Sequence, residues 1–217
     1  SDMFHDWYLN ASRGLPPDFV LMSEQKFYIK VDCDLEEDNF DTMGNFINRY
    51  ANRISGLEVK VGSLDKHLKA MKPAEFPYLT TLNFFCCELD NDSLIFLSPQ
   101  LKNLSLMCVK TVMDLSSITE DDDCFTKLDW LEIYDCNIDI KKVLSKCFSS
   151  LKYLDLGPEE CEQFDDFNLE LSSLNHMDIV LTSDSEQSTR NLLSSASRRM
   201  KTLCLYVYYD ERLYHLK

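Results

Sequence analysis

The sequence predicts an α/β fold in which short parallel strands alternate with helices in a curved, repeating stack. A six-residue phrase with the pattern Leu-x-x-Leu-x-apolar recurs along the 217 residues of the chain. Its middle apolar residue stands at positions 57, 82, 104, 131, 154, 177 and 203, so successive copies lie 22 to 27 residues apart. Self-similarity at such a period is typical of solenoids, whose units bury their apolar faces against neighbouring units.

Each copy of the phrase alternates apolar and polar residues, as expected of a strand with one buried face. The full copies are Leu79–Phe84, Leu101–Leu106, Leu128–Ile133 and Leu151–Leu156, and the weaker ones are Ile54–Val59, Leu174–Ile179 and Met200–Leu205. Phe27–Val31 shows the same alternation and predicts a further strand ahead of them. We therefore expect about seven to eight repeats within residues 26–217, preceded by an N-terminal cap or tail in residues 1–25.

Between the strands the apolar spacing lengthens to three or four residues, which predicts helices. Four helical faces follow from this spacing: Phe40, Met43, Ile47, Tyr50 and Ile54; Leu64, Leu68 and Met71; Ile140, Val143, Leu144 and Cys147; and Thr189, Leu192, Leu193, Ala196 and Met200. Ser183 and Glu186 match a capping box at the start of the last helix. Because helices are wider than strands, we expect the sheet on the concave side and the helices on the convex side.

The charge of the chain limits its partners. Asp and Glu number 37 against 22 Lys and Arg, for a net charge of −15. Nucleic acid is not expected as a partner, because phosphate binding depends on Lys and Arg that displace counterions. The same charge disfavours anionic membranes and favours basic protein partners, although it can equally serve only to keep the protein soluble. No apolar run approaches the ~18 residues that span a bilayer.

The nine cysteines include no Cys-x-x-Cys pair. Cys86 and Cys87 are adjacent in sequence, which is poor geometry for a mutual disulfide. This usage predicts free, mostly buried thiols in a reducing compartment, either the cytoplasm or the nucleus.

Strand alternation identifies the side chains on the predicted concave face. Its central row is expected to consist of Tyr28, Glu58, Asn83, Ser105, Glu132, Asp155, Asp178 and Cys204. The C-terminal half of this face is aromatic and acidic; Tyr and Trp are frequent interface anchors, and carboxylates orient basic partners. The candidate partner-binding residues are therefore Phe85, Met107, Trp130, Glu132, Tyr134, Tyr153, Asp155, His176, Asp178 and Tyr206. In the alternative interpretation, these are ordinary exposed side chains or are covered by a C-terminal segment.

Two repeats carry cysteines at matching positions. Leu131–Ile138 places Cys136 five residues after its first Leu, with Cys147 in the following helix, and Cys87 stands five residues after Leu82. This pattern resembles the cysteine-containing subfamily of leucine-rich repeats, found in F-box/leucine-rich-repeat proteins. Other repeats depart from it, with Val109, Glu159 and Thr182 at the corresponding positions.

The resemblance covers about residues 26–217 and implies the substrate-recognition domain of a cullin-type ubiquitin ligase receptor. Phe4–Tyr8 is similar to the aromatic tail that often closes an F-box, so the resemblance implies that a ligase adaptor binds only through a segment upstream of this chain. Ubiquitin transfer would then be carried out by other subunits.

Catalytic and metal motifs are absent from the sequence. It contains no Gly-rich phosphate loop and no Gly-x-Ser-x-Gly motif, and its four histidines are scattered. The acidic run Glu120–Asp123 lacks the glycine and spacing of a calcium loop. We therefore expect no catalytic residue, no metal, no cofactor and no enzymatic activity. The sequence leaves two functional hypotheses: a ubiquitin ligase substrate receptor, or an acidic adaptor in a nuclear or RNA-processing complex.

Overall fold

Parallel strands dominate the computed structural model, which describes residues 7–10, 26–31, 37–62, 76–89, 98–111, 123–166, 168–182, 185–196 and 200–207. The strands are β1 Trp7–Asn10, β2 Phe27–Val31, β3 Ile54–Gly62, β4 Thr81–Leu89, β5 Asn103–Met107, β6 Lys110–Thr111, β7 Trp130–Tyr134, β8 Tyr153–Leu156, β9 His176–Leu181 and β10 Thr202–Val207. Nine of them lie side by side in chain order, and β6 pairs separately with β4. The predicted α/β class with a parallel sheet is confirmed.

The described helices are α1 Glu37–Tyr50, α2 Ile140–Cys147, α3 Pro158–Cys161 and α4 Glu186–Ser195, with short 3₁₀ turns at Ala51–Arg53 and Glu162–Phe164. The four apolar residues expected on the face of α2 are all buried. Asp139 caps this helix, because its carboxylate accepts a hydrogen bond from the Lys142 backbone N–H at 3.2 Å. None of the helices in the described ranges combines the length and apolar character that a bilayer crossing requires.

The core consists of aligned rows of apolar side chains. The strand register places equivalent residues of neighbouring strands side by side, and each row joins the helix residues in one buried cluster. The first row contains Leu57, Leu82, Leu104, Leu131, Leu154 and Met177, and the second contains Val59, Phe84, Leu106, Ile133, Leu156 and Ile179. Apolar burial supplies the main driving force for stacking such units.

A backbone contact repeats between successive units. The carbonyl of the residue that follows the leading Leu of each phrase accepts hydrogen bonds from two consecutive N–H groups of the next unit, at 2.7 to 3.1 Å. The accepting residues are Thr80, Lys102, Asp129, Lys152 and Asn175. Because this contact does not depend on side-chain identity, its five copies hold six successive units in the same register despite their unequal lengths.

A residue with positive φ also recurs just after the repeated phrase. Cys86, Cys108 and Asp135, each four residues after the middle Leu, have φ values of 53°, 53° and 51°. The next residues, Cys87 and Cys136, are buried and donate through Sγ to a carbonyl of the preceding strand. The Cys87 bond to Val59 measures 3.5 Å and the Cys136 bond to Leu106 measures 3.4 Å. The matching cysteines of the sequence therefore make matching contacts.

Several local expectations are wrong. Ile54 begins β3 instead of ending a helix. The last helix stops at Ser195, because Ala196 is extended and forms a parallel bridge with Leu171. Its N-cap is Ser185. The expected helix of Leu64, Leu68 and Met71 and the capping residue Ser183 lie outside the described residues.

The N-terminal end of the sheet differs from the expected alignment. Trp7–Asn10, assigned from sequence to a cap or tail, pairs in parallel with β2, whereas Phe4 lies outside the described residues. A register shift between Phe27 and Tyr28 places Tyr28 opposite Gly56 and Lys30 opposite Glu58. Lys30, and not Tyr28, therefore occupies the central row.

Gly56 makes the shifted register sterically feasible. A Cβ atom at this position would lie 2.1 Å from Cδ2 of Tyr28, so the tyrosine ring crosses the space that any other side chain would fill. From there Tyr28 Oη donates to Glu58 at 3.2 Å and accepts from Asn83 Nδ2 at 3.0 Å. Gly56 thus allows one aromatic ring to connect three strands.

We predict that Gly56→Ala lowers the free energy of unfolding by about 1–3 kcal/mol, because the added methyl group displaces Tyr28 and breaks its hydrogen bonds. In a Tyr28→Ala background the same substitution should cost much less, since no ring occupies the space. Urea unfolding of the four proteins of this double-mutant cycle measures the coupling. Additive effects would contradict the proposed contact.

Candidate functional site

The central feature of the exposed sheet face is an aromatic column, formed by Trp130, Tyr153 and His176. The Trp130 and Tyr153 rings stack with centroids 3.5 Å apart and planes inclined by 10°. Tyr153 and His176 stack at 4.6 Å and 12°. These residues occupy equivalent positions of β7, β8 and β9, so the spacing between neighbouring strands brings their rings into contact.

The backbone of the column is fixed by the contact that repeats between units. The N–H groups of Trp130, Tyr153 and His176 donate to the carbonyls of Lys102, Asp129 and Lys152, respectively, at 2.9 to 3.0 Å. Trp130 nevertheless remains 40 % exposed. A large aromatic side chain is therefore held on a rigid strand while part of its surface stays in contact with solvent.

Beside the column lies an acidic row, formed by Glu132, Asp155 and Asp178 at the central positions of the same three strands. Tyr134 Oη donates a short hydrogen bond to Asp155 Oδ1. Tyr153 Oη donates to Asp178 Oδ2 at 2.8 Å and lies 3.3 Å from Asp155 Oδ2. The two phenols therefore tie the aromatic and acidic residues into one network.

Asp155 is more buried than its predicted position on the exposed face implies. It points to the same side of the sheet as its neighbours but is only 9 % exposed. Burial raises the pKa of its carboxyl, the nearby Asp178 and Glu132 carboxylates raise it further, and the tyrosine hydrogen bonds oppose the shift. Asp155 thus acts as an internal acceptor that orients Tyr134 and Tyr153.

The two tyrosines keep their protons at neutral pH. Burial raises the pKa of both phenols, and hydrogen bonding to the carboxylates raises it further. Asp178 shows the opposite balance: burial raises the pKa of its carboxyl, but hydrogen bonds from Tyr153, Cys204 and His176 outweigh this effect and lower it. Asp178 is therefore a carboxylate at neutral pH, with His176 Nε2 at 3.1 Å from Oδ1.

The charges along the central row change from one end of the sheet to the other. Near the N-terminal end, Glu58 Oε1 lies 2.7 Å from Lys30 Nζ and 3.7 Å from Lys60 Nζ. Within the described part of the chain, no Lys or Arg forms an ion pair with Glu132 or Asp155. Among the described residues of this row, the carboxylates without a Lys or Arg partner therefore lie beside the aromatic column.

The remaining predicted residues lie at different distances from this network. Phe85 and Met107 occupy the row of Tyr134, directly across β4, β5 and β7. They extend the site toward the N-terminal end, where Lys60 Nζ lies 5.3 Å from the Phe85 ring centroid. Tyr206 is 58 % exposed on β10, opposite Val180. Two strands, β8 and β9, separate Tyr206 from Tyr134, and its ring does not stack in the aromatic column.

Two features were missed by sequence reasoning. Cys204 continues the acidic row on β10, opposite Asp178. The repeat alignment placed it in that row, but its position beside Asp178 and His176 was not singled out. The second feature is an open groove of about 740 Å³ at the carboxyl ends of the central strands, lined by Val109, Lys110, Asp135, Cys136, Asn137, Glu159, Glu162 and Gln163. Its lining comes from three separate segments of the chain, so no single sequence segment indicates it.

No protein-family model matches this chain, and no curated protein is significantly similar to it.

Next to the groove, Glu160 is a fully buried acid. Its Oε1 accepts a hydrogen bond from the Cys136 backbone N–H at 2.8 Å, which connects α3 to the turn after β7. Burial raises the pKa of its carboxyl, backbone hydrogen bonds from Cys136, Glu160 and Asp135 oppose the shift, and the nearby Glu159 carboxylate adds to it. This residue therefore makes the stability of the fold depend on pH.

We predict that the contribution of Glu160 to the free energy of unfolding is fully present below its unfolded pKa of 4.5 and declines as pH rises through its raised folded pKa. The reason is that the folded protein binds this proton more tightly than the unfolded chain. Glu160→Gln removes the titration, so the stability difference between wild type and variant should fall as pH rises above 4.5.

Chemical unfolding at a series of pH values measures this difference. Glu159→Gln is the companion variant, because it removes the exposed carboxylate that raises the Glu160 pKa while keeping Glu160 itself. The decline in stability should then occur at lower pH than in the wild type. Parallel profiles for wild type and Glu160→Gln would show that Glu160 does not titrate differently in the folded state.

Proposed function

We propose that this chain is a leucine-rich-repeat solenoid that binds a protein partner on the exposed face of its sheet, without catalysing a reaction. The order of nine parallel strands along the chain supports the solenoid, as does the backbone contact repeated between units. The observation that carries the binding role is the stacked aromatic column with Trp130 40 % exposed at its end. Such rigid, partly exposed aromatic residues are typical anchors of protein interfaces.

The chemistry of the site favours a basic segment of the partner. An Arg guanidinium can stack on an indole face and pair with a carboxylate in the same contact. Trp130 and Glu132 lie two residues apart on one strand and therefore offer both interactions on one side of the sheet. The overall charge of −15 would also accelerate the encounter with a positively charged partner.

A narrower proposal is that the partner is the substrate of a cullin-type ubiquitin ligase. The matching thiol contacts of Cys87 and Cys136 support it, because they repeat the feature on which the resemblance to F-box/leucine-rich-repeat receptors rests. A ligase adaptor would then bind a segment upstream of Ser1. All cysteines in the described ranges are free thiols, in keeping with a reducing compartment such as the cytoplasm or nucleus.

We predict that Trp130→Ala and Tyr153→Ala each reduce partner capture by about 30-fold or more, the loss expected when an interface anchor contributing about 2 kcal/mol is removed. The measurement is affinity capture from cell lysate followed by quantitative mass spectrometry. Phe148→Ala is the matched control: Phe148 is also 40 % exposed, but it follows α2 instead of lying on the sheet.

The same captures distinguish the two functional classes. If the protein is a ligase receptor, the full-length product of its gene retains cullin adaptors, and the two substitutions remove substrates while leaving adaptors in place. Recovery of nuclear or RNA-processing proteins without adaptors favours the acidic adaptor instead. Unchanged capture by correctly folded Trp130→Ala and Tyr153→Ala proteins would rule out this face as the binding site.

A further inference from the structure

Three chemically different metal ligands meet at the C-terminal end of the acidic row. His176, Asp178 and Cys204 each offer one ligand atom, and these atoms all lie within 4.8 Å of one another. His176 and Asp178 are two residues apart on β9 and so project to the same side, and Cys204 lies directly opposite Asp178 on β10. The sequence positions of the three residues, with 25 residues between Asp178 and Cys204, follow no familiar metal motif.

We propose that His176, Asp178 and Cys204 form a binding site for a zinc-class divalent cation. Imidazole nitrogen, carboxylate oxygen and thiolate sulfur are the three ligand types that Zn²⁺ accepts in proteins. The site has three protein ligands, which leaves a fourth tetrahedral position for water or for a ligand from a bound partner.

The distances between the ligand atoms are compatible with binding of one ion. His176 Nε2 and Asp178 Oδ1 are 3.1 Å apart. Bonds of about 2.0–2.3 Å to one tetrahedral metal place two ligand atoms roughly 3.3–3.7 Å from each other. Small side-chain rotations therefore bring all three ligand atoms onto one ion, without a change in the strand register.

The residues around the ligands are arranged as an outer shell. Tyr153 Oη donates to Asp178 Oδ2 at 2.8 Å, which turns Oδ1 toward His176. Oδ1 is buried, and His176 Nε2 lies 3.1 Å from it. The Tyr153 ring also stacks on the His176 imidazole and restricts its orientation. Outer contacts of this kind fix the ligands of metal sites.

The three ligands are half-buried, so an ion can enter from solvent. Binding replaces the thiol proton of Cys204 with the metal, and this proton passes to the solvent. The cation also compensates the negative charge of Asp178 and the new thiolate. With water in the fourth position, the site needs no protein ligand other than those on β9 and β10, and binding of the ion does not depend on a partner.

The test is a titration of the metal-free protein with Co²⁺ and then with Zn²⁺. We expect one Co²⁺ per chain, a thiolate-to-cobalt charge-transfer band, intense tetrahedral d–d bands, and loss of all these bands when Zn²⁺ replaces Co²⁺. Cys204→Ser should abolish the charge-transfer band. Tyr153→Phe keeps the ring but removes its hydroxyl, and should weaken Zn²⁺ binding by about 10- to 100-fold.

A control variant tests two exposed thiols, Cys86 and Cys108. Cys86 and Cys108 lie close together at the ends of β4 and β5, so the double variant Cys86→Ser/Cys108→Ser tests whether they bind the metal instead. It should retain the Co²⁺ bands unchanged. A band that survives Cys204→Ser, or one that disappears in the double variant, overturns the proposed site.

A second measurement needs no variant and so does not depend on correct folding of the substituted proteins. Iodoacetamide labelling of the wild-type protein, mapped by peptide mass spectrometry, reports the reactivity of each thiol. Saturating Zn²⁺ should slow alkylation of Cys204 by at least about tenfold, since the bound thiol must first dissociate, while Cys86 and Cys108 react as before. Equal labelling of Cys204 with and without Zn²⁺ contradicts the inference.

Discussion

A single backbone carbonyl in each unit, shared by two N–H groups of the next unit, sets the register on which the rest of this structure depends. The contact recurs at Thr80, Lys102, Asp129, Lys152 and Asn175. Each bond contributes only about 0.5–1.5 kcal/mol net, but its position determines which side chains become neighbours across the sheet. One residue of slip would move every core leucine to the exposed face and every exposed residue into the core. The leucine rows and the aromatic column are thus two consequences of one alignment.

Most of the strand architecture was predictable because it depends on alternation, which is local in sequence. The parallel sheet, the strands β3, β4, β5, β7, β8, β9 and β10, and the buried face of α2 all followed from apolar spacing, whereas the short β6 was not predicted. The alignment of β2 did not, because it depends on a register shift and on the absence of a side chain at Gly56. The end of α4 was also missed, since Ala196 leaves the helix to pair with Leu171, a residue 25 positions earlier. Such long-range contacts leave no periodic signal.

The candidate site could be located from sequence, but its chemistry could not. Alternation indicated which residues share the exposed face, and the register confirms that Trp130, Tyr153 and His176 are neighbours. The burial of Asp155 was missed because it results from two tyrosines that contact the carboxylate, Tyr134 from the adjacent strand β7 and Tyr153 from β8 itself. The proposed role of Cys204 as a metal ligand was missed for a related reason. A ligand set made from two strands becomes visible only when the distances between their side chains are known.

Internal hydrogen bonding in the site has a consequence for recognition. Binding usually costs about 0.5–1.5 kcal/mol for each flexible side chain that becomes ordered. Here Tyr134 and Tyr153 are already held by Asp155 and Asp178, and Trp130 is held by stacking. A partner that docks on this face therefore meets side chains that have already lost most of their rotational freedom. In the proposed binding role, the buried carboxylate of Asp155 would contribute to affinity through this preorganisation and not through a direct contact, whereas the side chains of Glu132 and Trp130 would touch the partner.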